Sequence, residues 1–229
     1  MRPRLAGMKR LSSTFENRTT AGAELGQVLR GRGLGTPDVV LGLPRGGIPV
    51  AYEIASVLGA PLDVMPVRKI AMPHNRELAI GAIAGETIVR MSDPTYEFPT
   101  ARFTELARVQ QRELRRREQI YRAGLPPLDL KSLDVLLVDD GLATGCTMLA
   151  AVREANRLGA ARVLAATPVA SDNGHALVRA EADEVITLRI EPHLSSVGAW
   201  YDDFDQVEDA EVCELLARSR AADKEMQPV

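Results

Sequence analysis

The chain has 229 residues, a net charge of −3, 45% hydrophobic and 26% charged residues, the composition of an ordinary globular protein with a substantial core. Its apolar runs are too short to span a bilayer, and its basic N-terminus lacks the continuous apolar stretch and small-residue cleavage site of a secretory signal. Lys and Arg are spread along the chain, so no membrane, secretory route or nucleic-acid partner is expected, and a cytoplasmic location is.

Apolar β-branched runs alternate with helical segments, which predicts an α/β fold with a central, mostly parallel sheet flanked by helices. A first helix runs from Asn17 or Arg18 to about Arg30, ended by Gly31-Arg32-Gly33, and Asp38 to Leu43 follows as a buried strand. Gly46 to Leu58 reads as a helix and Leu62 to Ile70 as a strand. Leu78 to Ala84 and Thr87 to Met91 read as a β-hairpin turning at Gly85-Glu86, an insertion in the βα rhythm. Thr100 to Arg122 carries apolar residues at Phe103, Leu106, Ala107, Leu114 and Ile120 on a charged background, as one long amphipathic helix ending before Pro126-Pro127. Within it Arg115-Arg116-Arg117 is flanked by Glu113 and Glu118, so a solvated helix face is preferred to an anion-binding patch.

The rhythm resumes with strand Leu133 to Asp139, a loop to Thr147, helix Met148 to Leu158, strand Arg162 to Val169, helix Gly174 to Ala180 and strand Glu184 to Leu188. An irregular stretch, Arg189 to Gln206, leads to a last helix from about Glu208 to Ala217. One domain over residues 1–220 is expected, with 221–229 as a disordered tail.

The chemistry concentrates in Val135-Leu-Leu-Val-Asp-Asp-Gly-Leu-Ala-Thr-Gly-Cys-Thr147: an apolar strand, two acidic residues, then a loop of small and hydroxyl residues opening a helix. Such a loop offers unpaired backbone N–H groups and the positive end of a helix dipole, a natural seat for a phosphate. Gly141 and Gly145 let the backbone approach closely, and Thr144 and Thr147 supply hydroxyls. Asp139 and Asp140 stand just before the loop, at the strand end where open α/β sheets place their ligands. Carboxylates accept from a sugar diol and repel phosphate, so a ribose bearing a 5′-phosphate satisfies both halves of the motif. A strand, glycine turn and helix also recur in α/β proteins that bind nothing there. A Walker loop is set aside because no Gly-x-x-x-x-Gly-Lys-Ser/Thr is present, and the lone Gly33-Leu-Gly35 precedes a strand instead of following one. A phosphorelay receiver fails too, because Asp183 precedes its strand.

All thirteen positions resemble the phosphoribosyl pyrophosphate (PRPP) signature of the type I phosphoribosyltransferases. The resemblance implies that Asp139 and Asp140 hold the ribose 2′- and 3′-hydroxyls, and that Ala143, Thr144, Gly145, Cys146 and Thr147 wrap the 5′-phosphate. It implies also that Leu43-Pro-Arg-Gly-Gly47 is the pyrophosphate loop, with Arg45, Gly46 and Gly47 on the leaving group, although a simple helix-start turn explains the glycines equally well. Val67-Arg68-Lys69 resembles the Arg-Lys pair that precedes a flexible catalytic loop, so Arg68 and Lys69 join the PRPP set, with Asp139, Asp140 and Lys69 as catalytic residues. His74 and Arg76 fall in that loop. The hairpin and the segment Ser92 to Pro99 are further candidates for its covering role.

Trp200 and Tyr201, with Phe204, stand out in a chain that is 4% aromatic. They suit either stacking on an acceptor base, in a small hood built from residues 189–206 with the N-terminal segment, or capping of the core edge or a subunit interface. With Phe15-Glu-Asn-Arg18 they give a pattern that resembles uncharacterised bacterial phosphoribosyltransferases. Mg²⁺-dependent transfer of the 5-phosphoribosyl group from PRPP to a small-molecule nitrogen acceptor, in nucleotide metabolism, is what the resemblance implies, with Mg²⁺ bound mainly through PRPP and water. The rival is a PRPP-binding regulatory protein with little or no catalysis, for which the basic residues are Arg115 to Arg117, Arg2, Arg4, Lys9 and Arg10. A homodimer is compatible with either. Cys146 and Cys213 lack metal-ligand spacing and read as free thiols in a reducing compartment.

Overall fold

The computed structural model describes residues 14–91, 98–192 and 194–226, the side chains of 76–77 and 223–226 apart. Arg2, Arg4, Lys9 and Arg10 and most of the segment Ser92 to Pro99 lie outside the described residues. The elements in chain order are α1 (Arg18–Gly31), β1 (Val39–Gly42), α2 (Gly47–Leu58), β2 (Leu62–Val64), β3 (Val67–Met72), β4 (Asn75–Ala84), β5 (Thr87–Arg90), α3 (Thr100–Tyr121), β6 (Asp134–Val138), α4 (Cys146–Arg157), β7 (Arg162–Ser171), α5 (Asp172–Arg179), β8 (Glu184–Glu191), a 3₁₀ turn (Val197–Trp200) and α6 (Asp209–Met226).

Five parallel strands form the central sheet in the order β2-β1-β6-β7-β8. The three inner strands, β1, β6 and β7, are apolar on both faces, so alternate residues enter different cores. Val39, Leu41, Val135, Leu137, Val163 and Ala165 pack with α4 and α5; Val40, Leu136, Val138, Leu164 and Ala166 pack with α1, α2 and α6. A small antiparallel sheet, β3-β4-β5, lies over α4 through Val67, Ala82, Ala84 and Val89. Its other face, with Ile70, Ile80 and Ile83, is covered by Phe103, Ala107 and Leu114 of α3.

Three expectations are corrected. The single strand Leu62 to Ile70 is two strands in different sheets. Pro66 has no N–H to continue a ladder, and after Met65, whose N–H donates to Gly42 O at 3.0 Å, the chain leaves the parallel sheet. The expected flexible loop after Lys69 is instead strand, turn and strand, β3 running to Met72 and β4 starting at Asn75 around Pro73-His74. The last helix runs on to Met226, through much of the expected tail. Among the described residues, no helix is long and apolar enough to cross a membrane.

Candidate functional site

The strand order reverses between β1 and β6: the chain moves outward from β1 to β2, and in the opposite direction from β6 to β7 and β8. The crevice at such a switch point is where open α/β sheets receive ligands. The two loops that leave the sheet there are residues 43–47 and 139–147. Leu43 N–H donates to Val138 O at 2.8 Å, stitching the two strand ends together. The loops then touch through glycines. A Cβ on Gly46 would collide with Asp140 Oδ2, and one on Gly47 would stand 2.6 Å from Val138 O.

Asp139 and Asp140 are half-buried at the strand end. Asp139 Oδ1 accepts the Asp140 N–H at 2.9 Å. Asp140 Oδ2 accepts from Arg18 Nε at 2.8 Å, in a pair whose side chains are only 11% (Arg18) and 15% (Asp140) exposed. Burial pushes the Asp139 carboxyl well above the ordinary range, and the neighbouring Asp140 charge pushes it further. Burial also raises Asp140, with the Arg18 guanidinium opposing it. The site therefore holds two crowded carboxylates in which Arg18 is the counter-charge.

The loop that follows is rigidly backed. Leu142 N–H donates to Val169 O at 2.9 Å and Ser171 N–H to Leu142 O at 2.8 Å. Ser171 Oγ donates to Ala143 O at 2.5 Å and accepts from Gly174 N–H at 2.9 Å. Gly145 adopts φ +74°, and a Cβ there would stand 2.7 Å from Gly174 O, so only glycine fits. Ala143 and Thr144 are exposed and Thr147 is half-buried, at the start of the twelve-residue α4, whose first-turn amides have no carbonyl of their own helix to meet. Cys146 points inward instead: it is 1% exposed, and burial pushes its thiol up to about 12. Only its backbone can face a ligand.

In the 43–47 loop, Arg45 Nη1 pairs with Glu208 Oε2 at 3.0 Å and lies 3.8 Å from Asp209 Oδ1. It lines a cleft with Arg18, Gly46, Phe204, Gln206 and Val207. Gly47 N–H donates to Leu43 O at 3.0 Å, so what Gly47 contributes is room instead of the anion-binding amide expected of it. Arg68 and Lys69 do not act as an adjacent pair, because successive residues of a strand point to opposite faces. Arg68 turns toward α3 and donates from Nε and Nη2 to Gln110 Oε1 at 3.1 and 2.9 Å. Lys69, exposed and paired in register with Ala82, lies on the face that covers α4. His74 is exposed in the β3–β4 turn; the Arg76 side chain lies outside the described residues.

The acceptor assignment of Tyr201 is corrected. Its ring is 6% exposed and packs against Phe15 at 5.5 Å between centroids, while its hydroxyl donates to Asp140 O at 2.7 Å. It props the acidic pair from behind and offers no face to a base. Trp200 packs against the same cluster, and Phe204 is the more exposed ring, at 36%. Residues 14–16 lie alongside 200–203, with Phe15 N–H donating to Trp200 O at 2.8 Å and accepting Asp202 N–H at 2.8 Å on its own carbonyl.

Site-shaping residues outside the predicted set are Arg18, Ser171 and Gly174. Arg18 carried a local signal, a cation in the first turn of a helix with no acidic residue there, where the helix dipole disfavours it.

A family model described as phosphoribosyl transferase domain matches residues 21–202. Over 208 residues the chain is 39% identical to the Mycobacterium tuberculosis protein named "Putative phosphoribosyl transferase Rv0571c", covering 90% of this chain and 47% of that one. It therefore spans about half the length of that relative. The crystal structure of TT1426 from Thermus thermophilus is 41% identical, with a TM-score of 0.74 over 90% of this chain and 98% of that one. AQ2163 from Aquifex aeolicus, at 14% identity and a TM-score of 0.50 over 79% of this chain and 78% of that one, shares the fold alone. With its switch-point loops, its acidic pair and most of its length matched, the chain belongs to the phosphoribosyl transferase domain family.

Proposed function

We propose that this domain transfers the 5-phosphoribosyl group of PRPP to a nitrogen of a small acceptor, a nucleobase by class, and releases pyrophosphate. The observation that carries the reading is the meeting of two loops at the switch point, residues 43–47 against the Asp139–Asp140 pair. The carboxylates of Asp139 and Asp140 accept from the ribose diol. The amides that open α4, with the hydroxyls of Thr144 and Thr147, hold the 5′-phosphate. Arg45 and the backbone at Gly46 face the diphosphate, and Lys69, on the sheet face over α4, supplies further positive charge to it.

Breaking the bond from C1′ to pyrophosphate develops oxocarbenium character on the ribose, as in glycoside chemistry. A ribose fixed at both its diol and its 5′-phosphate presents C1′ to the acceptor in one orientation, and cations aimed at the leaving group stabilise the charge it gains. The donor set at this edge is hard oxygen, carboxylate and hydroxyl. That suits Mg²⁺ carried on PRPP oxygens and water, where it neutralises diphosphate charge.

Calorimetric titration with PRPP, with and without Mg²⁺, tests the reading; Mg²⁺-dependent binding followed by pyrophosphate release on adding an acceptor is the expected result. Absence of PRPP binding by folded protein overturns it. Binding without turnover across nucleobases points to a PRPP-responsive regulator. A cytoplasmic location for the activity is part of the same proposal.

A further inference from the structure

Arg18 stands 122 positions from Asp140 in the chain, yet its guanidinium is engaged on three sides. Nε donates to Asp140 Oδ2 at 2.8 Å, Nη1 donates to Asp205 O at 2.8 Å, and Cζ lies 3.7 Å from the centroid of the Phe204 ring. It opens α1, where Asn17 caps the helix and no acidic residue occupies the first turn. A cation there works against the helix dipole, so helix formation does not explain it. Its surroundings do. The Asp140 carboxylate is wedged between Arg18 and Gly46, where no Cβ would fit, and the Tyr201 hydroxyl holds the Asp140 carbonyl at 2.7 Å. Two chain-distant segments, the start of α1 and residues 201–205, thus grip one acidic residue.

Resting on the functional reading above, we propose that Arg18 is a positioning residue of the ribose subsite, holding Asp140 as an oriented anion, with Phe204 and the Asp205 carbonyl fixing the guanidinium. The charged and titratable groups that face Asp140 are Arg18 from α1, Asp139 just after β6 and the neutral Tyr201 hydroxyl from the segment after the 3₁₀ turn. Without Arg18, two adjacent half-buried carboxylates face each other with no cation, and one of them takes up a proton. A protonated carboxyl is a poorer acceptor for a diol and is free to rotate.

Two measurements on the full chain separate this inference from the functional reading. In the ligand-free protein, ¹³C carboxyl titration of Asp139 and Asp140 reads the hold on the pair directly. Arg18→Gln is expected to move their titration upward by about one pH unit or more, and Arg18→Lys, which keeps the charge, to return it most of the way. In titrations with PRPP and Mg²⁺, R18Q is expected to weaken affinity by about tenfold or more at pH 7, with recovery as pH rises. R18K is expected to restore the pH profile but not the full affinity, because ammonium neither stacks on Phe204 nor keeps the planar fork. Folded R18Q with an unchanged carboxyl titration, or with wild-type PRPP affinity, overturns the inference. If R18Q does not fold, Phe204→Leu, which keeps both ionic partners but removes the ring on which the guanidinium stacks, is expected to weaken PRPP affinity by about threefold, and wild-type affinity in that variant overturns the inference. Wild-type protein that binds no PRPP overturns the functional reading, and the ligand-free titration still decides whether Arg18 governs the pair.

Discussion

At Asp139 the proposed ligand-binding chemistry and the stability of the free protein pull in opposite directions. Asp139 titrates above its ordinary range because burial and the Asp140 charge disfavour its ionised form. A carboxyl raised on folding contributes stability that is present below its unfolded value, near pH 4, and lost as pH rises through the folded value. Asp139→Asn removes that loss and keeps an oxygen for the Asp140 N–H. It is expected to raise the melting temperature at pH 7, with a gain that shrinks on acidification, while PRPP binding is lost; thermal melts from pH 4 to 8 check this. Asp140→Asn is expected to act in the reverse sense, leaving Arg18 without its anion and costing about 1–3 kcal/mol. Cys146 makes a second residue-scale case. With its thiol buried and pushed up to about 12, iodoacetamide at pH 8 is expected to label the partly exposed Cys213 first, and Cys146 at least about 100-fold more slowly. Equal rates in mass spectrometry would contradict the inward placement.

At the scale of elements, the small antiparallel sheet depends on one buried acid. Glu154, 3% exposed on α4, accepts from Thr87 Oγ1 at 2.7 Å, from Glu86 N–H at 3.3 Å and from Arg157 Nε and Nη2 at 2.8 and 2.7 Å. It thereby ties the β4–β5 turn to α4, the helix that follows the 139–147 loop. Gln111 Nε2, from α3, donates to Gly85 O at 2.7 Å and holds the same turn from the other side. Burial by itself would raise the Glu154 carboxyl, but the bonds from Arg157, Thr87 and Glu86 outweigh it and leave the group below its ordinary range. Its contribution is therefore present above the unfolded value and lost as pH falls through the folded one. Glu154→Ala is expected to cost about 2–4 kcal/mol and to quicken hydrogen exchange in β4 and β5 before the central sheet. Uniform exchange across both sheets would refute that local role.

For the whole molecule, the site joins elements from both ends of the chain: α1 through Arg18, α6 and the residue before it through Asp209 and Glu208 on Arg45, and the central strands through the two loops. A ligand seated there binds the folded state alone. PRPP with Mg²⁺ at 100 times its Kd is expected to add about 2.7 kcal/mol, raising Tm by roughly 5–10 °C for a chain of this size. Pyrophosphate alone is expected to give a smaller shift, since on the proposed reading it meets the 43–47 loop but not the carboxylates. Differential scanning fluorimetry reads both, and a pyrophosphate shift equal to that of PRPP would remove the ribose subsite from the assignment.

What the amino-acid sequence determined by itself is what depends on neighbours along the chain. The alternation of apolar runs specifies the βα order, the 85–86 turn specifies the hairpin, and the run from Val135 to Thr147 specifies a strand, an acidic pair and a helix-opening loop, because strand period, turn chemistry and helix termini are local properties. Tertiary structure alone decided the rest. The break at Pro66 divides one apolar run between two sheets, and which sheet each half joins depends on pairing with β1 or with β4. Arg68 and Lys69 look equivalent in sequence, but the pleat sends one to Gln110 and the other to the opposite face. Tyr201, as suited to stacking as any ring, is drawn into the core because Phe15 and the Asp140 carbonyl are waiting for it. Arg18, Asp140 and Phe204 meet across most of the chain's length, and no local pattern encodes a charge pair whose members are brought together only when the sheet closes between them.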